Sequence, residues 1–366
     1  MAIHAMRTIF EDDETDAVLL IDAANAFNSI NRSVMLENIR RLCPIAYNYA
    51  YNCYAAQARL FVVGGKEIRS REGTTQGDPP SMALYALGLM PLLWGLSDSE
   101  RGDKQVAYAD DLTGGGKLRA LRSWFDSIVA KGPAFGYYAE PSKSWLIVKE
   151  DKLDEAKVTF ANTDVNITTS GKKHLGAVIG HLDYKVDFVS KLVTEWIHQI
   201  KQLSEIALSE PHAAYTAFTS CIRHKYTHYL RTIPAISSLL EPLESAIMNF
   251  LIPALTNGRS VTSDERILLS LPARLGGMGI ISPSVIADQE HEFSKISTSV
   301  LTNAIISQQC DLPNDLDNLS KKDKTVVRTL RKEKQTKLLL ELRSRMKNDQ
   351  NKKPMTSPVK LAPLTG

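Results

Sequence analysis

The sequence predicts an α+β protein whose first half alternates short strands with helices and whose second half is helical. Three observations carry this. Apolar runs bounded by turn residues, AVLLI at 17–21, VAYA at 106–109 and WLIVK at 145–149, read as buried strands. Segments with helix-start signals separate them, so strand and helix alternate from 17 to 180. Beyond Tyr184 strand signals stop, and helical stretches follow at 186–206, 212–231 and 239–255.

In order, Asp22 closes the first strand. Ser33 is placed to cap a helix over 33–42, which ends before Pro44. A second helix covers 47–56. ARLFVV and KEIRS then flank Gly64-Gly65, a two-residue hairpin signal. Asp78, Pro79 and Pro80 introduce a helix from Ser81, since proline suits a first helical turn. The strand bearing Asp110 and Asp111 follows, with Gly114–Gly116 read as a turn or strand end. A helix at 118–129, the strand at 145–149 and short strands at 165–168 and 175–179 complete this half. LPARLGGMGI, at 271–280, is a glycine-rich break before two further helices, the last over 321–346. The expected units are 1–183, 184–260, 261–347 and a disordered basic tail at 348–366.

The 366 residues suffice for two or three domains, and 43% hydrophobic with 23% charged residues belongs to a soluble globular chain. The first residues run into Glu11, Asp12, Asp13, Glu14 and Asp16, which no secretory leader does. The most apolar segment, 81–96, is too short to span a bilayer and holds Gly88 and Pro91, so no membrane partner is expected. Four cysteines without paired spacing suit a reducing, intracellular setting, cytoplasmic or nuclear. Cys221, His224 and His228 share a helical face but lack a fourth ligand for zinc. Residues 320–366 hold 14 Lys or Arg against 4 Asp or Glu, so a basic end follows an acidic body. That pattern fits a polyanion partner and equally a solvated charged helix.

VAYADDLTGGG, at 106–116, raises the chemical question. Adjacent carboxylates about 4 Å apart repel by roughly 4 kcal/mol at an effective dielectric near 20. A solvated turn tolerates this, whereas a partly buried site needs a cation or a raised pKa. Asp22 likewise ends an apolar strand. If the strands are neighbours, Asp22, Asp110 and Asp111 converge at one edge, and such hard oxygen ligands suit two Mg²⁺ or Mn²⁺ ions. The glycines would then keep the hairpin tip uncrowded.

LLIDAANAFNSI at 19–30, TTQGDPPS at 74–81 and YADD at 108–111, in this order, resemble the palm motifs of reverse transcriptases, particularly those of non-LTR retrotransposons and related mobile elements. The match runs over about 17–180, and LPARLGGMGI resembles a segment that follows the polymerase region in such elements. The resemblance implies a polymerase palm with a small, mostly antiparallel sheet packed on helices, then an all-helical thumb and C-terminal region. It implies RNA-directed DNA synthesis, a nucleotidyl transfer of dNTPs onto a DNA primer along an RNA template. Asp22 and Asp110 then correspond to direct metal ligands, Asp111 to the third carboxylate, and the Ala23 carbonyl to a further metal contact. Phe27 matches the steric gate against a 2′-hydroxyl. Gln76 and Gly77 match the segment beneath the templating pair, and Tyr108 the residue flanking the acidic pair. Lys143 matches the lysine that protonates departing pyrophosphate. His174, Leu175 and Gly176 match the primer-gripping hairpin, with Arg223, Lys225 and Arg231 as thumb candidates for phosphate contact. Two departures stand out. Only 21 residues precede Asp22, so the fingers region of the family is missing, and Pro80 stands where an apolar residue is common. A catalytically silent nucleic-acid-binding derivative is therefore the alternative. An RNA polymerase or cyclase on a similar palm is a further one, against which Phe27 argues.

Overall fold

β1 (Ala17–Ile21) is the central strand on which the chain is built, and it is buried on both faces. The computed structural model describes residues 1–97, 102–309 and 315–350, with side chains to 345 in the last helix. Before β1 lies α1 (Ala2–Glu11). After it come α2 (Ala26–Ser29), α3 (Arg32–Leu42), α4 (Pro44–Tyr54), the hairpin β2 (Ala58–Val62) and β3 (Lys66–Ser70), and α5 (Ser81–Leu96). β4 (Lys104–Tyr108), β5 (Asp111–Gly116), α6 (Leu118–Phe135), β6 (Trp145–Val148), α7 (Leu153–Thr159), β7 (Asn166–Thr168), β8 (Gly171–His174) and β9 (Ala177–Gly180) follow. The rest is helical: α8 (Leu182–Ser209), α9 (Pro211–Ala217), α10 (Arg223–Thr232), α11 (Glu241–Ala246), α12 (Ile252–Leu255), α13 (Ser263–Ser270), α14 (Pro283–Ile306) and α15 (Leu316–Gln350). The fold is thus α+β, as expected.

The five-stranded sheet runs β4-β5-β1-β6-β7, antiparallel except for the β6–β7 pair. Alternation along β1 divides the core. Ala17, Leu19 and Ile21 join Met35, Leu84 and Trp124 on one face. Val18 joins Met6, Val193 and Tyr226 on the other, so the helical half packs directly on the sheet. α8 begins at Leu182, just before the expected boundary at 183.

Several expectations are corrected. Gly114 and Gly115 are neither turn nor strand end; they lie buried inside β5. A Cβ on Gly114 would sit 2.7 Å from the Trp124 ring of α6, and one on Gly115 would sit 2.6 Å from Ile9 of α1. The glycines let two helices close on opposite faces of one strand. α1 and α7 were not anticipated. α1 buries Ala2, Ala5, Met6 and Ile9 at helical spacing, immediately before the acidic run. Asn31, not Ser33, caps α3: its side chain accepts from the Val34 amide at 3.1 Å. α4 starts at Pro44, and α6 continues to Phe135. The expected strand at 175–179 is the two-stranded β8–β9 hairpin, which turns at Leu175 and Gly176 with φ of 47° and 77°. The helices at 212–231 and 239–255 each contain a π-helical turn, Phe218–Ile222 and Ile247–Leu251. The tail expected over 348–366 overlaps the end of α15 and from 351 lies outside the described residues.

The glycine-rich break is held by one buried cation. Arg266 pairs with Glu244 at 2.7 Å and donates to the carbonyls of Ile280 at 2.6 Å and Ile281 at 3.2 Å. Arg266→Met leaves Glu244 buried without its partner, and a loss of about 3–5 kcal/mol is expected in urea unfolding. A loss below about 1 kcal/mol would show that the pair does not hold this break.

Candidate catalytic edge

Pairing brings the three predicted carboxylates to one end of the sheet. Ile21 pairs with Leu112, so the next residue of each chain segment, Asp22 and Asp111, face one another beyond the β1–β5 ladder. Tyr108 pairs with Asp111, leaving Ala109 and Asp110 as a two-residue turn. The hairpin tip therefore depends not on the glycines but on Ala109, held at φ 56°, a conformation uncommon for a residue with a Cβ.

The other side of β1 fixes Asp22. Its amide donates to the Ser144 hydroxyl at 3.2 Å, and its carbonyl accepts from the Glu140 amide at 2.8 Å. Ala24 donates to the Tyr138 carbonyl at 2.8 Å, and Ala23 bridges to Ala139. These bonds flank the Ala23–Ala139 pair, so Ala23 directs its own carbonyl away from residues 138–140, towards the side where β5 lies.

Two tyrosines floor the edge. The Tyr137 hydroxyl donates to the Asp110 carbonyl at 3.3 Å. Tyr85 is buried, its ring centroid lies 4.5 Å from that of Phe27, and its hydroxyl has no hydrogen-bond partner among the described residues. Burial, more than the neighbouring acids, pushes both phenols above their ordinary pKa. Burial likewise pushes the Asp111 carboxyl up, to about 6, with Asp110 and then Asp22 adding repulsion. Because an unpaired buried hydroxyl costs about 1–3 kcal/mol, Tyr85→Phe is expected to raise the unfolding midpoint. A lowered midpoint would mean that the hydroxyl has a partner.

Phe27 is tied to the TTQGDPPS segment. Its carbonyl accepts from the Thr74 amide at 2.6 Å, and the Ser81 hydroxyl donates to Thr74 Oγ1 at 3.0 Å. Asp78 accepts from the Tyr54 hydroxyl at 2.7 Å. Gln76 and Gly77 stand exposed on this braced loop, and Gly77 takes φ 92°. Tyr108 is 52% exposed beside the acidic turn. Lys143 ends the short turn Pro141–Lys143, next to Ser144, with its amine exposed and unpaired among the described residues. His174 is buried on the β8–β9 hairpin, and the Gly176 turn packs on His228 of α10.

Sequence reasoning missed Tyr85, Tyr137, Ser144 and Tyr54. A tyrosine within the otherwise apolar 81–96 run was the one available signal. The donor set at the edge, three carboxylates and a carbonyl, suits a hard divalent cation in kind. Among the described residues, however, no group of three or more His, Cys, Asp or Glu side chains is arranged to hold a metal ion, Cys221, His224 and His228 included. No described helix is long and apolar enough to cross a membrane.

A small, mostly antiparallel sheet with helices on both faces is consistent with a polymerase-like fold. No protein-family model and no curated protein matches the chain. Among solved structures it is similar to apo telomerase from Candida tropicalis, at TM-score 0.42 and 10% identity over 87% of this chain and 55% of that one. Telomerase from the same species in complex with a TWJ fragment of telomeric RNA is similar at TM-score 0.40 and 12% identity, over 88% and 51%. The corresponding Candida albicans complex follows at TM-score 0.35 and 10% identity, over 85% and 54%. The chain thus spans about half the length of the telomerase chains it matches, and likeness at this level assigns no activity.

Proposed function

We propose that this chain is the palm and thumb of a reverse transcriptase from a mobile element, joining dNTPs to a DNA primer 3′-hydroxyl along an RNA template. The observation that carries the reading is the register that sets Asp22 opposite Asp111, with Asp110 at the adjoining turn. Asp22, Asp110 and Asp111, with the Ala23 carbonyl, would hold Mg²⁺ or Mn²⁺. When bound, two such ions acidify the primer hydroxyl and stabilise charge on the departing pyrophosphate. Phe27, backed by Tyr85, excludes the ribose 2′-hydroxyl. Gln76 and Gly77 support the templating pair, Tyr108 flanks the primer end, and Lys143 Nζ protonates the pyrophosphate. Residues 1–183 serve as palm and 184–260 as thumb.

Primer extension by the full chain on an RNA template, with dNTPs and Mg²⁺ or Mn²⁺, tests this. Extension lost in an Asp110→Ala, Asp111→Ala variant supports it. Folded protein that binds primer–template without extending it favours the second reading, a silent nucleic-acid-binding derivative. The surplus of basic residues over 320–366 serves that second reading equally well.

A further inference from the structure

One cleft has none of the three carboxylates in its lining. It lies where α15 crosses α10, the N-terminal half of α14 and the glycine-rich break, and it measures about 710 Å³. Clefts of about 300–1,000 Å³ are the size that takes organic ligands. Its lining comes from the helical half alone, between Arg223 and Glu341, and includes no residue of the five-stranded sheet.

The gap persists because α15 is fastened on either side of it. Val327 is buried and Arg331 pairs with Glu290 at 2.8 Å on one side. Leu342 is buried and Arg345 reaches Asp264 at 3.4 Å on the other. Between these anchors Lys334 and Lys337 face the cleft, with Arg223 across from them. Neither lysine has a carboxylate partner among the described residues. Among the described residues the Arg223 guanidinium is in hydrogen-bond reach of the Gly279 carbonyl and His224, each at 3.5 Å. Glu290 is neutralised by Arg331 and by Arg231 at 3.7 Å, so three cations face one remaining carboxylate, Glu341. The lining also holds the apolar side chains of Leu230, Leu271, Ile286 and Leu338, and Val285, which is 75% exposed.

We propose that this cleft binds a nucleotide of a single-stranded nucleic acid. Its phosphate is held by Lys334, Lys337 and Arg223, and its base lies against the exposed Val285 side chain. Lys334 and Lys337 are neighbours on one helical face, so both reach one phosphate group or two successive ones. Lys321, Lys322, Lys324 and Arg328 continue the positive charge along α15, which favours a strand over a free nucleotide. The cleft does not depend on the polymerase reading.

Fluorescence anisotropy of a labelled single-stranded oligonucleotide with the full chain, in EDTA, tests it. The Lys334→Gln, Lys337→Gln, Arg223→Gln variant should bind about tenfold more weakly or worse, with the salt slope of log affinity reduced by about three. Val285→Glu, a change at an exposed residue with little folding cost, should weaken binding similarly. Lys321→Gln, Lys322→Gln, Lys324→Gln removes the same charge outside the cleft and should cost less than about threefold. Equal losses in both triple variants, or none from Val285→Glu, would overturn the cleft as the site. Displacement of the oligonucleotide by micromolar ATP would overturn the strand and assign the phosphate to a free nucleotide.

Discussion

Asp110→Asn with Asp111→Asn is expected to abolish Mg²⁺-dependent primer extension, by about 10³-fold or more, while raising the unfolding temperature at pH 7 in EDTA. The two effects have one cause. Asp22 and Asp111 face one another beyond the β1–β5 ladder, and Asp110 adjoins them at the turn. Half-burial and these neighbours push the Asp111 carboxyl from 3.8 to about 6. Between those values the folded chain holds a proton that the unfolded chain has released. Stability from this group is therefore full below 3.8 and is lost as pH rises through 6. Asparagine has no such charge, so the variant's unfolding temperature should vary less across this window. Mg²⁺ added at pH 7 should stabilise the natural chain and leave the variant unmoved, a readout that needs no turnover. Equal Mg²⁺ effects on both proteins would place the cation elsewhere.

Gly114→Val is expected to destabilise the chain by about 3 kcal/mol or more, or to prevent folding. The added Cβ alone lies 2.7 Å from the Trp124 ring, which is fully buried and has nowhere to turn. Trp124 Nε1 also donates to Gln105 Oε1 at 2.9 Å, and Gln105 belongs to β4. Moving the indole therefore disturbs both strands of the hairpin that presents Asp110 and Asp111. Pairing Gly114→Val with Trp124→Leu should recover part of the loss, because the smaller side chain frees volume at that face. No recovery would locate the damage in the β5 backbone itself.

Much of the site was legible locally. The strand ending before Asp22 and the start of α5 after Pro80 depend on residues a few positions apart, and the structure contains both. The hairpin at Gly64-Gly65 is there too, but Val62 pairs with Lys66, so its turn has three residues and not two. The run at 106–109 is a partly exposed edge strand that stops at Tyr108, not a buried one. Less legible were features whose partners lie far along the chain. Three consecutive glycines read as a turn because nothing nearby shows that α1 and α6 must close on both faces of β5. Tyr85 reads as core, although its hydroxyl lies beneath the edge that Phe27 and Asp110 share.

By itself, the sequence determined the α+β alternation, the apolar strand at 17–21, the placement of acids at strand ends and the basic charge of the last helix. These follow from side-chain periodicity and turn chemistry, which act over a few residues. Only tertiary structure decided that β1 lies between β5 and β6, that Asp22 falls opposite Asp111, and that α15 spans a cationic cleft. Strand order, register and helix crossing are set by which distant apolar faces bury one another, and no local pattern encodes that choice.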